Sequence, residues 1–285
     1  MSGNLNTSGP VVLTIAGFDP SGGAGIIADV RTILHFSCRP VAAITSLTFQ
    51  NTEGIFGAIH ESAESVRAQI LPVIEESPVA GVKIGMLPTA EIVLEIARLI
   101  HDRKLPSPVI DPVMRSSSGY QLMEQDAAEV LCRELIPLAY LITPNIPEAE
   151  ALAGVRIEDE QGMRHAAEKL REQGARAVLI KGGHLSEKPE VRGQESEEQQ
   201  AKDLLMDQDQ VTIFRGEWID APPVRGTGCM LSSAIAACLA HGIALNESVR
   251  LAKEYVADAI RHGPNSPADP VMLDLIKSRS CENSG

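Results

Sequence analysis

The segment Gly226-Thr227-Gly228-Cys229 carries the clearest chemistry in this sequence, because it comes just before an alanine-rich stretch that predicts a helix over residues 230–241. The two glycines let the backbone bring several N–H groups toward one point, and a helix N-terminus adds positive potential there. Such a site binds a phosphate, or the charge that develops on a phosphoryl group in transfer. A plain turn into a helix has the same pattern, so the motif alone leaves both interpretations open.

Cys229 stands at the start of that predicted helix, where the helix N-terminus lowers the pKa of a thiol. We therefore expect Cys229 to have a lowered pKa and to accept a proton near neutral pH. Cys38, Cys132 and Cys238 are interpreted as small apolar side chains. The five cysteines are widely spaced and include no CxxC pair, which argues against a disulfide framework and a zinc site.

Two acids follow predicted strands. Asp111 comes after the apolar run Val109-Ile110, and Glu148 follows the strand predicted over 140–143. The carboxyl ends of parallel strands meet at one edge of a sheet, where open α/β folds bind their ligands. Magnesium bound with a nucleotide needs only one or two carboxylates, so this pair predicts a metal site. A capping or solvated role explains either acid alone equally well.

Lys181 follows the strand predicted over 177–180 and precedes two glycines, so it presents a cation at the same sheet edge. The ammonium group of Lys181 is suited to binding a nucleotide phosphate. A surface lysine after a strand is common by itself, but several such features on successive strand ends favour a shared site.

The glycine-rich loop over residues 17–25 follows a predicted strand and begins a helix, but its spacing matches neither GxGxxG nor the Walker motif GxxxxGK[ST]. Its glycines let the backbone pass close to a small ligand. Asp29, one helical turn beyond Gly25, is a candidate hydrogen-bond acceptor for that ligand. A solvated helix charge is the alternative interpretation of Asp29.

Alternating strands and helices must position these residues. Apolar periodicity predicts strands over 11–16, 41–49, 81–86, 109–113, 140–143 and 177–180, and helices over 24–36, 63–74, 90–103, 126–138, 147–153 and 161–173. Short antiparallel strands over 203–206 and 210–214 precede helices over 230–241 and 247–262. The alternation implies a mainly parallel sheet covered by helices on both faces.

Residues 1–285 are interpreted as one domain with its core at about 11–262, frayed termini, and a mobile charged loop over 186–201. The net charge of −13 disfavours binding to nucleic acid or to an anionic membrane surface. No apolar run reaches the roughly 18 to 20 residues of a membrane span. The N-terminus, MSGNLNTSGP, lacks the features of a signal peptide, so we expect a cytoplasmic protein.

Seven motifs occur in order between about Val12 and Ile260: TIAGFDPSGGAGIIAD, QNT, KIGML, IDPVM, TPNIPEAE, KGGH and GTGC. Each is weak alone, but the ordered set closely resembles the hydroxymethylpyrimidine and phosphomethylpyrimidine kinases of thiamine biosynthesis, within the ribokinase-like superfamily. The resemblance implies a three-layer α/β/α fold with a central mainly parallel sheet. It also implies Mg²⁺-dependent phosphorylation by ATP of the hydroxymethyl group of 4-amino-5-hydroxymethyl-2-methylpyrimidine, and then of its monophosphate to the diphosphate.

The resemblance also implies residue roles. The aminopyrimidine is bound by Asp29 and Gln50, between the apolar walls Met86 and Val113 and beside Gly17. The primary amide of Gln50 offers a hydrogen-bond donor to a ring nitrogen and an acceptor to an exocyclic amine. Cys229 is the implied base, and the backbone of 226–229 the anion hole. The resemblance further assigns ATP to Lys181, Asn145 and Arg225, and magnesium to Asp111 and Glu148.

The sequence departs from the family pattern near the implied site. Arg225 stands where the family usually has His, and Met230 stands where Thr is common. Phe18 stands where a small polar residue is common. The first two lie on the phosphate side, where Arg225 is itself able to bind phosphate. Thr48-Phe49 replaces a smaller apolar pair, which predicts a reshaped pyrimidine pocket.

Three other functions fit parts of the pattern. A pyridoxal or pyridoxine kinase acts on a similar hydroxymethyl heterocycle, although Gln50 favours the pyrimidine. A dinucleotide-dependent oxidoreductase requires an acid at the end of a second strand, and the run over 41–49 ends without one. A non-catalytic binding protein has no use for reactive residues at one edge.

The family resemblance favours a homodimer.

Overall fold

The structure, a computed structural model, describes residues 9–102, 104–116, 118–183, 200–217, 219 and 224–262. Within these residues, one nine-stranded sheet has the order β3-β2-β1-β4-β5-β6-β7-β8-β9. The strands are β1 Val11–Phe18, β2 Arg39–Gln50, β3 Ile55–His60, β4 Val79–Ile84, β5 Val109–Ile110, β6 Leu141–Ile142, β7 Ala177–Lys181, β8 Gln200–Asp207 and β9 Gln210–Glu217. Strands β2, β1 and β4 to β7 run parallel, and β3, β8 and β9 are antiparallel additions at the two edges.

Helices cover both faces of this sheet. They are α1 Gly25–His35, α2 Ala63–Glu76, α3 Ala90–His101, α4 Gln125–Val130, α5 Ile146–Ala153, α6 Glu160–Glu172, α7 Thr227–Ala240 and α8 Leu245–His262. One apolar cluster packs helices α2 to α6 on one face, and a second packs α1, α7 and α8 on the other. The predicted three-layer α/β/α architecture with a mainly parallel sheet is confirmed.

Strand β1 shows why the central strands are mainly aliphatic. Leu13 and Ile15 point into the first apolar cluster, whereas Val12 points into the second. Side chains alternate between the two faces of a strand, so a strand covered on both faces is apolar on both, apart from polar residues such as Thr14 that are hydrogen-bonded. This burial fixes the register of the parallel strands and brings their carboxyl ends to one edge.

The sequence-based prediction differs from the structure at β3 and at the helix predicted over 126–138. The antiparallel strand β3 was not predicted; it is largely exposed and lacks a clean alternation of apolar and polar residues. The helix predicted over 126–138 ends at Val130, followed by a π-helical turn over Leu131–Leu135 and a 3₁₀ turn containing Pro137. Proline has no N–H to donate and its ring clashes with the preceding turn, which prevents a regular α-helix there.

The charged loop predicted over 186–201 lies mostly outside the described residues, as do most of the termini that were predicted to be frayed, before residue 11 and after residue 262. Its last two positions are not loop, because β8 begins at Gln200. In the part of the chain that the structure describes, no helix is both long enough and apolar enough to cross a membrane.

Candidate active site

A cavity of about 620 Å³ opens at the carboxyl ends of the central strands. The ends of β1, β2, β4, β5 and β7 and the start of α7 form its walls. Of the residues predicted for the site, all except one line this cavity: Gly17, Gln50, Met86, Asp111, Val113, Asn145, Glu148, Lys181, Arg225, Gly226, Thr227, Gly228 and Cys229. The exception is Asp29. The topology therefore gathers side chains from positions more than 200 residues apart in the chain.

A second cavity of about 840 Å³ adjoins the first and lies between β8, β9 and α8. The two cavities share four lining residues, Asn145, Lys181, Thr227 and Gly228. Groups bound in the two cavities would therefore meet at the first turn of α7. This shared wall is the point at which a group can pass from one ligand to the other.

Gly226 shapes that shared wall. It is the N-cap of α7 and has φ +78°, in the left-handed region that glycine tolerates. A Cβ added there would lie 2.1 Å from the carbonyl oxygen of Gly23, so the segment before α7 packs directly on the first glycine-rich loop. In the described chain, no side chain caps this helix start. Among the described residues, no side chain therefore competes with an anion for the backbone N–H groups of the first turn, and the anion site stays a prediction.

Lys181 and Asp111 converge on the same turn. The Nζ of Lys181 lies 2.8 Å from Oδ1 of Asp111. A Cβ added at Gly228 would lie 3.3 Å from that Nζ and 3.4 Å from Oδ2 of Asp111. Burial lowers the pKa of Lys181, but the charges of Asp111 and Glu148 outweigh burial and raise it, so the cation is retained beside the helix start.

Glu148 is held by the start of α5. Asn145, the N-cap, accepts a hydrogen bond from the Glu148 N–H at 2.9 Å, and Oε2 of Glu148 accepts one from the Asn145 N–H at 2.8 Å. This reciprocal capping box fixes both side chains at the cavity wall. The pKa of Glu148 is raised to about 7, because burial and the Asp111 charge together outweigh the opposing charge of Lys181.

Asp111 and Glu148 also make up the donor set that a divalent cation would use. The described residues contain no cluster of three or more metal-ligating side chains. Mg²⁺ bound with phosphates requires only one or two carboxylates, because waters and phosphate oxygens fill the remaining positions. Burial raises the pKa of Glu148 most and the charge of Asp111 adds to the rise, so a bound cation would stabilise the two carboxylates. The residues present fit magnesium.

Cys229 differs from the prediction. Burial raises the pKa of its thiol to about 11; the Lys83 charge and the Gly25 backbone N–H lower it, and Asp29 and Asp111 raise it. The expected lowering at a helix N-terminus is therefore wrong, because desolvation of the thiolate outweighs it. Cys38, Cys132 and Cys238 also have raised thiol pKa values caused by burial, consistent with their interpretation as apolar side chains.

Asp29 was also assigned wrongly. Its carboxylate is fully buried behind the cavity wall and already accepts hydrogen bonds from Lys83 Nζ at 2.8 and 2.9 Å, Thr14 Oγ1 at 2.6 Å and Ser233 Oγ at 2.9 Å. The Asp29 carboxylate is therefore out of reach of a substrate, and its oxygen lone pairs are already used by these donors. Its role in this structure is to hold Lys83, which lines the cavity beside Cys229.

One side of the first cavity, where the pyrimidine is predicted to bind, combines apolar walls with the Gln50 amide. Met86 and Val113 line it, and Gly17 approaches Met86 so closely that an added Cβ would lie 2.9 Å from the sulfur. Gln50 stands at the end of β2, beside the additional wall residue Ile55. The structure thus brings together the predicted pocket residues other than Asp29.

Arg225 lies on the same side of the first cavity as Gln50. It lines the first cavity and not the second. Its Nη2 lies 3.1 Å from Oε1 of Gln50, and its Nη1 donates to the carbonyl oxygen of Asn51 at 2.6 Å. Arg225 thus contacts Gln50, the residue predicted to bind the pyrimidine, and its assignment to ATP stays a prediction. Met230 is buried and lines neither cavity, so it makes no phosphate contact here.

Two functional residues escaped the sequence-based interpretation. Lys83 carries the buried charge beside Cys229, and its signal was a lone cation inside an otherwise apolar strand. Asp19 organises the first loop: it accepts from the N–H groups of Ser21 and Ala24 at 2.8 and 2.9 Å. An aspartate two residues before a serine in a glycine-rich turn is the signal for that capping role.

Comparison with known proteins places this geometry in a family. The model described as phosphomethylpyrimidine kinase matches residues 19–271. The hydroxymethylpyrimidine/phosphomethylpyrimidine kinase of Aquifex aeolicus is 38% identical over 252 residues, which are 88% of this chain and 94% of that protein. The thiamine biosynthesis bifunctional protein ThiED of Geobacter sulfurreducens is 41% identical over 261 residues. That match covers 89% of this chain but only 51% of ThiED, so the chain spans about half of that longer relative.

Among solved structures, an ADP complex of Bacillus subtilis pyridoxal kinase superposes with a TM-score of 0.78 at 33% identity. The match covers 89% of this chain and 92% of that one. The expected ribokinase-like fold is confirmed by this similarity. Because the family model spans most of the sequence, and one relative is 38% identical over nearly its whole length, the chain belongs to the phosphomethylpyrimidine kinase family.

Proposed function

We propose that this protein transfers the γ-phosphoryl group of ATP to the hydroxymethyl oxygen of 4-amino-5-hydroxymethyl-2-methylpyrimidine, and then to the resulting monophosphate. The observation that carries this proposal is the wall shared by the two cavities. Asn145, Lys181, Thr227 and Gly228 line both cavities, so a nucleotide in the larger one directs its terminal phosphate at a small substrate in the other. In-line phosphoryl transfer depends mainly on such positioning and on charge stabilisation.

The residues of the shared wall have distinct roles in this proposal. The free N–H groups of the first turn of α7 and the ammonium of Lys181 stabilise charge on the transferred phosphoryl oxygens. Asp111 and Glu148 would hold Mg²⁺, which when bound neutralises phosphate charge. Asn145 fixes Glu148 through the capping box and borders both ligands.

Cys229 is the proposed acceptor of the substrate hydroxyl proton. As the hydroxymethyl oxygen forms its bond to phosphorus and the bond from phosphorus to the ADP oxygen breaks, the hydroxyl proton passes to Sγ. Only the thiolate accepts it, and Lys83 is the cation that favours the thiolate against the effect of burial. The thiolate of Cys229, which is the proposed base, is therefore the minor ionisation state of this residue in the resting protein.

The pyrimidine is proposed to lie between Met86 and Val113, with its polar edge at Gln50. A primary amide offers one acceptor oxygen and two donor hydrogens, which suits a ring nitrogen adjacent to an exocyclic amine. The Bacillus subtilis neighbour is a pyridoxal kinase, so pyridoxal is the second candidate substrate. Both compounds present a hydroxymethyl group on a nitrogen heterocycle, and the amide at Gln50 favours the pyrimidine.

We further propose that residues 11–262 act as one kinase domain and that the protein is a homodimer. All nine described strands belong to one sheet, which supports the first proposal. Leu47, Phe49 and Ile59 are exposed apolar residues on β2 and β3, and β2 pairs Leu47 with Ile59, so they share a face suited to a second copy of the chain. Sedimentation equilibrium tests the dimer, and Phe49→Lys is expected to weaken it.

The function is tested by measuring ADP release by the purified protein with Mg²⁺ and ATP. Hydroxymethylpyrimidine, its monophosphate and pyridoxal are compared as substrates, and Cys229→Ala is compared with the wild type. We expect turnover of both pyrimidines, and a loss of about 100-fold or more in Cys229→Ala. Turnover of pyridoxal alone would move the assignment to the second candidate, and wild-type inactivity on all three would overturn both.

A further inference from the structure

The Arg225 guanidinium ties together three segments around the first cavity. Nη2 lies 3.1 Å from Oε1 of Gln50 at the end of β2, and Nη1 donates to the Asn51 carbonyl oxygen at 2.6 Å. On the first glycine-rich loop, Nη1 lies 3.3 Å from Oγ of Ser21 and Nη2 lies 3.6 Å from Oδ2 of Asp19. Arg225 itself stands in the segment directly before α7. The side chain is only 26% exposed, so these contacts lie within the rim of the cavity.

The contact with Gln50 has a chemical direction. A guanidinium offers only donors, whereas a primary amide presents an acceptor oxygen on one side and donor hydrogens on the other. Rotating the Gln50 amide by half a turn would place its NH₂ against the donors of Arg225. The amide oxygen is therefore held toward Arg225, and the NH₂ is turned away from it.

We propose that Arg225 is a positioning residue that fixes the Gln50 amide in one orientation and so makes the first cavity selective for an acceptor nitrogen adjacent to an exocyclic amine. This inference rests on the proposed function, because it concerns recognition of the pyrimidine. The Gln50 NH₂ meets the ring nitrogen, and the second lone pair of the oxygen, which Arg225 does not use, accepts from the amine. A freely rotating amide would accept either order of donor and acceptor.

Arginine is suited to this task in a way that lysine is not. Its planar fork reaches Gln50, Asn51 and the first loop at the same time, whereas an ammonium is a point charge on a flexible stem. Arg225→Lys is therefore expected to restore only part of the effect of Arg225. Arg225 does not line the second cavity, so we expect a nucleotide bound there not to sense its removal.

A double-mutant cycle tests the proposal. Steady-state kinetics are measured for wild type, Arg225→Met, Gln50→Met and the double variant, with hydroxymethylpyrimidine, its analogue lacking the 4-amino group, and ATP as the varied substrates. We expect Arg225→Met to raise the KM for hydroxymethylpyrimidine roughly 10-fold with little change in kcat or in the KM for ATP. The discrimination between the two pyrimidines should fall by a similar factor. In the Gln50→Met background, the effect of Arg225→Met should disappear.

Equal effects of Arg225→Met in both backgrounds would overturn the inference, since they show that the residue does not act through Gln50. A rise in the KM for ATP would also overturn it and return Arg225 to the nucleotide. If Arg225→Met does not fold, Arg225→Lys takes its place in the same cycle. Wild-type protein that phosphorylates neither pyrimidine would overturn the proposed function itself, which distinguishes that failure from additive effects in an active enzyme.

Discussion

The Nζ of Lys83 lies 2.8 Å from Oδ2 of Asp29, and neither side chain has any exposure to solvent. Thr14 and Ser233 donate to the same carboxylate, so the pair joins β1, β4, α1 and α7 behind the candidate active site. Ser233 lies one helical turn after Cys229. A buried ion pair with its remaining hydrogen bonds satisfied holds its elements in one arrangement, and here it also places a cation beside the Cys229 thiol.

Asp29→Asn should therefore destabilise the protein strongly. The amide keeps the shape of the side chain but removes the counter-charge, and Lys83 is left charged and unpaired in the core. Breaking a buried pair in this way costs about 3–5 kcal/mol of the free energy of unfolding. Urea unfolding at neutral pH measures this loss of unfolding free energy.

Asp209→Asn is the matched control for that measurement, because the Asp209 carboxylate is fully exposed and lies 3.6 Å from Arg171. Exposed pairs contribute about 0–1 kcal/mol. If both variants unfolded at the same urea concentration, the Asp29 pair would carry no special stability and the physical account above would be wrong.

Glu148 predicts a pH dependence of stability with a defined sign. Burial raises its pKa from 4.5 to about 7, so the folded protein binds a proton that the unfolded chain releases between these values. The contribution of this group is fully present below pH 4.5 and is lost as pH rises through 7. Between pH 5 and 8, wild type should lose about 2–3 kcal/mol relative to Glu148→Gln, as measured by urea unfolding.

Glu148→Gln is a close match, because its amide oxygen can still accept from the Asn145 N–H and preserve the cap. Adding Mg²⁺ at pH 8 should stabilise wild type by binding the ionised carboxylate, and should stabilise Glu148→Gln less. Parallel stability curves for the two proteins across this pH range would show that Glu148 ionises normally.

Much of the parallel core follows directly from the sequence. The aliphatic runs of β1 and β7 predict buried strands because side chains from both faces of such strands must be apolar. Asp111, directly after β5, and Lys181, the last residue of β7, could be placed at one edge for the same reason. The strand β3 could not be predicted in this way, since an exposed edge strand needs no regular apolar pattern.

The errors at the site arise from burial, which depends on the tertiary structure. Asp29 stands on a helix where a solvated or ligand-binding charge fits equally well, and only the packing of α1 on β4 and α7 shows that it pairs with Lys83. The lone cation of β4 and the acid of α1, both within apolar stretches, were the available signal. Likewise, a helix N-terminus predicts a low thiol pKa, but the burial of Cys229 raises it.

The raised pKa of Cys229 predicts how the reaction depends on pH. If the thiolate accepts the substrate proton and its pKa is about 11, the reactive fraction increases with pH throughout the range from 6 to 9. We expect kcat/KM for hydroxymethylpyrimidine to rise with pH over this range without a plateau near 7. Steady-state kinetics with saturating ATP and Mg²⁺ provide the profile.

Alkylation gives a second measure of the same thiol without turnover. The rate of modification of Cys229 by iodoacetamide, followed by peptide mass spectrometry, should also rise continuously to pH 9, with Cys229→Ala identifying the peptide. A plateau near neutral pH in both profiles would instead show a thiol activated by the helix N-terminus and would reject the burial argument.

Gly226 and Gly242 offer a matched test of the anion site, because both have φ +78° and stand at opposite ends of α7. A Cβ at Gly242 would meet nothing within 4 Å, whereas at Gly226 it would lie 2.1 Å from the Gly23 carbonyl oxygen. Gly242→Ala should therefore lose only about 1 kcal/mol of unfolding free energy, from the strained backbone.

Gly226→Ala has the same backbone strain and also displaces the first glycine-rich loop from the start of α7. Its ATP-dependent turnover should therefore be at least 10-fold lower than that of Gly242→Ala. Differential scanning calorimetry and the ADP-release assay measure the two effects, and equal activity in the two variants would show that this loop contact does not shape the anion site.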